Sequence, residues 1–297
     1  MKVRNLDQYL HLHFIVLIFG FTGILGKLIS FPAQYLVFYR LLFTIPILFL
    51  IIKFKKQTIK VTRKELIQFL LVGIIVGMHW ITFFHSIKVS NVSVALSCLA
   101  SSTLFVGILE PLFHRQKISW LEIVMGILVL VTLSIMLGFE ITYIKGALFG
   151  VTSAFLAGTF NVINKRFSGT KSPLSLTFYE LIGALIPVII VILWNQPTWN
   201  TFPIPQNRDL LWLILLASIC TAYPFAAIVQ LMKTLSAYTV TLAINFEPIY
   251  AIILAFFIFG DSEKMGTPFY IGVAVVMLIV FAYPTIKKLK TNFQNEN

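Results

Sequence analysis

Apolar residues along this chain gather into ten blocks separated by short polar stretches: 11–30, 35–53, 66–86, 92–113, 119–138, 144–164, 173–194, 209–232, 237–259 and 267–286. A helix rises about 1.5 Å per residue, so roughly 20 apolar residues match a hydrocarbon core of about 30 Å. Lipid offers no partner to backbone N–H and C=O groups, so blocks of this length must close their hydrogen bonds internally, as helices. The pattern predicts an all-α polytopic membrane protein with ten transmembrane helices.

Composition agrees. Hydrophobic residues make up 58% of the 297 positions, charged residues 11%, and the mean hydropathy is +0.91. A soluble domain carries about 25% charged residues. A soluble reading would need ten buried helices with almost no polar shell. The formal charge of +12 does not point to nucleic acid, because the basic residues sit in the loops beside the spans, where topology signals lie. Cys98 and Cys220 both fall inside spans and read as small packing residues, with no disulfide or metal pattern. No small-residue cleavage site follows the first block, which runs into Ser30-Phe31-Pro32, so a retained helix is expected.

The loop charges predict the orientation. With the N-terminus in the cytoplasm, the inner side holds Lys2, Arg4, Lys53, Lys55, Lys56, Lys60, Arg63, Lys64, Arg115, Lys117, Lys165, Arg166, Lys171, Lys233, Lys287, Lys288 and Lys290, a total of 17. The outer loops hold 4: Lys88, Lys145, Arg208 and Lys264. Positive residues resist translocation, so both termini are expected inside, in a cell (inner) membrane. Trp194 and Trp199 flank the long outer loop 195–208, where amphipathic rings suit the interface.

The chain also repeats itself. Phe38-Tyr39-Arg40-Leu41 returns as Phe178-Tyr179-Glu180-Leu181, 140 residues on, each in the second span of its half. Val92 to Leu96 (VSVAL) returns as Tyr238 to Leu242 (YTVTL), 146 residues on, and the same offset carries Gly126 onto Gly272. Each unit has five spans, an odd number, so the second enters the membrane upside down. The basic loop 53–64 accordingly corresponds to the loop 195–208, whose only basic residue is Arg208. The expected units are 11–138 and 144–286. Inverted repeats about an axis in the membrane plane are typical of transporters that alternate access to a central site.

The second unit carries the sharper motif: Ala243-Ile244-Asn245-Phe246-Glu247-Pro248-Ile249-Tyr250, an apolar run, then Phe259-Gly260-Asp261-Ser262-Glu263. With the two five-span units, it resembles the EamA-type family of the drug/metabolite transporter superfamily. In the first unit Ser102 stands where Pro248 stands, and Glu110-Pro111 follows eight residues later. The resemblance covers roughly 11–286. It implies a permease or exporter of small metabolites, amino-acid-like or amphipathic, working by alternating access. It also implies a cavity lined by spans one to four and six to nine, with five and ten peripheral.

Ionisable side chains within spans are costly against lipid and so face a cavity or a partner. Glu247, near the middle of span nine and next to Pro248, reads as a cavity carboxyl binding a cation or proton, or else as a structural Glu paired inside the bundle. Glu180, beside Tyr179, divides between the same two readings. Arg40, toward the outer end of span two, can snorkel, with a structural or gating role. Lys27, two residues from its helix end, is expected to snorkel to the interface, and Glu110 to pair with the loop 114–117. His79-Trp80 joins a polar ring to an aromatic face, as a cavity contact or as a packing pair. His85 lies six residues on and off that face, so a shared metal is not expected. Asn245 and Tyr250 complete the candidate set. Gly73-x-x-x-Gly77 and Gly146-x-x-x-Gly150 allow close helix approach within the chain, and Tyr223-Pro224 marks a kink in span eight.

The sequence contains no Gly-rich phosphate loop, no metal-ligand cluster and no nucleophile–base pair, so no cofactor and no enzyme activity is expected. Expected partners are a small-molecule substrate and the lipid bilayer, with proton coupling at a carboxyl, no nucleic acid, and a monomer or weak homodimer. Two other readings are a flippase of lipid-linked sugars and a membrane-embedded lipid-modifying enzyme. The topology is testable with single cysteines at Gln57 and Thr198 in a background lacking Cys98 and Cys220. Thr198→Cys is expected to react with an impermeant thiol reagent from outside and Gln57→Cys to stay silent. Labelling of both from one side would contradict the inverted arrangement.

Overall fold

The computed structural model of the chain describes residues 2–114, scattered positions between 120 and 135, then 141–167, 172–195, 202–231, 243–244 and 246–296. These residues are helical throughout apart from short turns. The helices are α1 (Lys2–Leu28), α2 (Ala33–Phe54), α3 (Arg63–Val89), α4 (Val92–Leu99), α5 (Ser102–His114), α6 (Ile144–Phe167), α7 (Pro173–Asn195), α8 (Asn207–Ala217), α9 (Tyr223–Leu231), α10 (Glu247–Phe259) and α11 (Thr267–Glu296). Among the described residues, seven helical stretches are long and apolar enough to cross a membrane: Asp7–Leu28, Ala33–Phe54, Arg63–Val89, Val92–Phe113, Ile144–Asn164, Leu174–Asn195 and Asn207–Phe225. Most of the expected span 119–138, including Gly126, lies outside the described residues, as does the first part of span 237–259.

Local chemistry sets where the helices start and stop. Thr62 and Glu65 form a reciprocal capping box at the head of α3, the Thr62 N–H donating to Glu65 Oε2 at 2.8 Å. Asn91 Oδ1 accepts the Val94 N–H at 2.8 Å and caps α4. Between α8 and α9 the chain takes a π turn over Ser218–Ala222, directly before Tyr223-Pro224. That turn is the structural form of the expected kink, since Pro224 cannot donate to the ladder and its ring displaces the preceding turn.

Packing divides the helices into two groups. α3 lies between α6 and α7, with α4 and α5 also against α6; α1 packs on α10, α9 and α8, and α2 on α8. The groups meet chiefly where α2 crosses α7 and where α4 crosses α10. The exterior is apolar, with Trp194, Phe257 and Leu278 turned outward, while Thr44, Ser86, Ser93, Ser153 and Thr221 are buried. In lipid the tails are as apolar as the side chains, so helix association rests on close packing and buried hydrogen bonds.

Glycine provides that closeness at α3–α7. A methyl group at Gly73 would overlap the Glu180 carbonyl, one at Gly77 the Ala184 carbonyl, and one at Gly183 the Leu70 carbonyl. Gly146 and Gly150 likewise fit against Ser90 and Cys98, so both small-residue motifs pack within the chain. Overpacking a tight contact costs about 1–3 kcal/mol. Gly73→Val and Gly183→Val are therefore expected to lower the melting temperature of the detergent-purified protein by several degrees. Ile190→Ala, on a side chain 58% exposed on the outer face of α7, should leave it unchanged.

Candidate functional site

We call the end of the bundle where α1 begins the near end and the end where it finishes the far end. Between them, Arg40 of α2 is 3% exposed. Its guanidinium carbon lies 3.8 Å from the centre of the Trp80 ring on α3 and 5.6 Å from that of Phe84. A delocalised cation over an aromatic face recovers part of the solvation lost on burial. Nε donates to Thr221 Oγ1 at 3.0 Å, and Nη1 has no partner among the described residues. Arg40 therefore does not snorkel to the interface. Trp80 and Thr221 hold it in the bundle.

The π turn makes the Thr221 contact. Thr221 Oγ1 donates to the Leu216 carbonyl at 2.6 Å, five residues back, which leaves its lone pairs facing Arg40. One helical turn from Arg40, Thr44 Oγ1 donates to the Arg40 carbonyl at 2.7 Å and reaches the Ala217 carbonyl at 3.2 Å, fixing α2 against α8. Glu247 and Cys220 both lie within electrostatic range of the guanidinium.

Glu247 opens α10, with Pro248 in the first turn. The missing proline N–H costs nothing there, because first-turn donors have no partner inside a helix. The same position favours a carboxylate through the helix dipole. Span four is interrupted in the same way. Ser101 N–H donates to the Cys98 carbonyl (3.1 Å) and Phe105 N–H to that of Ser101 (3.4 Å), while Phe246 N–H donates to the Ala243 carbonyl (3.0 Å) and Tyr250 N–H to that of Phe246 (3.1 Å). Irregular backbone at membrane depth is tolerated where it is buried in protein or lines a cavity.

The other candidates stand apart from Arg40 to different degrees. His79, next to Trp80, turns to α6, where its Nδ1 donates to the Ser153 carbonyl at 2.9 Å, though it stays within electrostatic range of Arg40. Glu180, 5% exposed, is hydrogen-bonded by Asn164, and its Oε1 has no partner. His85 meets the edge of Phe149 at 4.4 Å. Glu180, His79 and His85 thus contact α6 at three separate levels, and no group of three metal-ligating side chains occurs among the described residues. Tyr250 OH meets His13 Nδ1 at 3.0 Å, and Asn245 lies outside the described residues.

The two motif tyrosines act at opposite ends. Tyr39 OH donates to the Pro203 carbonyl at 2.9 Å at the far end, where Phe202 sits 5.3 Å from Tyr35 and 5.7 Å from Phe38. Tyr179 OH donates to the Ile59 carbonyl at 2.9 Å at the near end, with Phe178 against Phe49. Each fastens the other half's connecting loop.

Several residues escaped the sequence reading. Thr221 carries no signal beyond its place before Tyr223-Pro224. His13 is one of two α1 histidines paired with tyrosines, the other being His11 Nε2 with Tyr223 OH at 2.9 Å. Lys27, at the end of α1, pairs with Glu263 Oε1 at 2.9 Å and lies 4.3 Å over the Phe259 ring, a partnership the sequence did not show.

The family model described as the EamA-like transporter family matches residues 9–138 and again 144–283. The chain belongs to the EamA-like transporter family. Members of this branch of the drug/metabolite transporter superfamily are membrane transporters rather than enzymes, and with its apolar helices this EamA-like chain is a multi-pass membrane protein. A solved crystal structure shares the fold at a TM-score of 0.63 and 12% identity, over 94% of this chain and 97% of the other. No curated protein matches the sequence.

Proposed function

We propose that this EamA-like protein is an inner-membrane permease that exports small metabolites by alternating access. In this reading ten transmembrane helices form two inverted five-helix units, both termini are cytoplasmic, and the near end is the cytoplasmic end. The observation that carries it is the buried Arg40–Trp80–Thr221 cluster with Glu247 within electrostatic range. It holds a buried cation with a free donor and a carboxyl at a helix break, deep in the bundle. The reciprocal tyrosine contacts at opposite ends support the inverted arrangement.

Nη1 of Arg40 is free to donate to a solute carboxylate, and Trp80 and Phe84 give an apolar wall for the rest of the solute. Glu247 either receives the solute's ammonium group or exchanges a proton with it, which would couple export to the proton gradient. An amino-acid-like solute matches both charges. In the empty site Glu247 offsets the charge of Arg40, so neither faces a low-dielectric interior alone.

Glu247→Gln keeps shape and most hydrogen bonding but removes the charge, and Arg40→Lys keeps the charge but loses the planar stack on Trp80. A hydrogen bond to a charged group contributes about 1.5–3 kcal/mol, so each change is expected to slow transport roughly tenfold or more. Expression of Glu247→Gln should be normal. The assay is uptake of a panel of labelled amino acids into sealed proteoliposomes with an imposed pH gradient. Wild-type rates in both variants across pH would refute the site.

A further inference from the structure

Glu263 ends the short turn that follows α10, and it is 1% exposed. Gly260 in that turn has φ +55, the left-handed backbone that glycine adopts without strain, and it lets the chain reverse direction off the helix. Both carboxylate oxygens are fully engaged. Oε1 accepts the Val92 N–H at 2.9 Å and Lys27 Nζ at 2.9 Å; Oε2 accepts the Ser93 N–H at 2.9 Å and Ser93 Oγ at 2.8 Å. Lys27 also donates to Ser262 Oγ at 2.8 Å.

The partners belong to different groups of helices. Val92 and Ser93 open α4, which packs with α6, while Lys27 ends α1 and Glu263 follows α10. A cap from within α4's own neighbourhood already exists in Asn91. Glu263 adds a second cap from 171 residues away and ties it to a cation on α1. Further cross-links cluster at this end. Lys88 of α3 donates to the Ile29 carbonyl just past α1, and the Ser30 N–H donates to Asp209 Oδ1 of α8 at 2.9 Å.

The turn Asp261-Ser262-Glu263-Lys264 has His114-Arg115-Gln116-Lys117 as its counterpart in the first unit, a stretch without a carboxylate. The carboxylate clamp is therefore written into one end of the sequence only.

We propose that Glu263 is a latch that shuts the outer end of the bundle. It locks the turn after α10 and the end of α1 onto the head of α4, and it releases α4 each time the central site opens outward. This rests on the alternating-access reading above. It makes the outer gate charged and specific, whereas aromatic packing of Phe202 against α2 adds bulk there.

Native Cys220, which precedes the Arg40 partner Thr221, is the reporter. In a Cys98→Ser background in right-side-out vesicles, an impermeant methanethiosulfonate reagent added outside should label Cys220 slowly. Glu263→Gln should speed labelling at least fivefold and Ser93→Ala by a smaller factor. Asp261→Asn, on an exposed side chain of the same turn, should match the parent. Parental labelling rates in both Glu263→Gln and Ser93→Ala would overturn the latch. If Glu263→Gln does not fold, Ser93→Ala decides alone, since it removes a single hydroxyl. Faster labelling in a protein that moves none of the tested solutes would uphold the latch and count against the transport reading only.

Discussion

A guanidinium held away from water in the middle of a lipid-spanning bundle constrains everything around it. Burying a charge is costly unless it is paired and hydrogen-bonded, so the protein must supply what water would have supplied. It does so in parts: the Trp80 face beneath the cation, the Thr221 hydroxyl at Nε, and the Glu247 carboxyl within electrostatic range. Each part exacts something from the backbone. Thr221 is presented by a π turn that Pro224 favours, and Glu247 stands at a helix start where Pro248 removes no bond. The broken helices and the buried charge are one arrangement.

This arrangement explains why the interior is polar in spots and the exterior is not. Against lipid, apolar side chains gain nothing by hiding, so the inside of the bundle is free to hold Ser, Thr and small residues that bring backbones together. The α3–α7 seam at Gly73, Gly77 and Gly183 is the clearest instance. It makes α3, α6 and α7 one tight unit, against which α2 and the pair α4–α10 form the contacts between groups.

Much of the architecture was legible because hydropathy over 20 residues is a physical length measurement, and the match to the EamA-like family spans both halves. The close-packing role of Gly73 was legible too, since small residues one turn apart make a groove in any helix. What could not be read was contact across the bundle. Distance to a helix end suggested a structural or gating role for Arg40 and snorkelling for Lys27, but not their partners, which are far away in sequence: Trp80 and Thr221 for one, Glu263 for the other. Likewise Glu180 and Glu247 look alike as lone carboxyls in spans, yet one meets Asn164 on α6 and the other lies within electrostatic range of a cation. The break at Ser101 carries no proline, so nothing in the first unit announced it.

In the alternating-access mechanism proposed for this protein, the two groups of helices rock about a fixed cationic site, so the two ends open in opposition. Paired spin labels test it most directly by double electron–electron resonance. One pair joins Lys145 of α6 to Arg208 of α8 at the far end, and the other joins Lys53 of α2 to Arg166 of α6 at the near end. When a transported solute is added, the account predicts that one distance lengthens while the other shortens. Distances that stay fixed, or that lengthen together, while solute still crosses the membrane would contradict it.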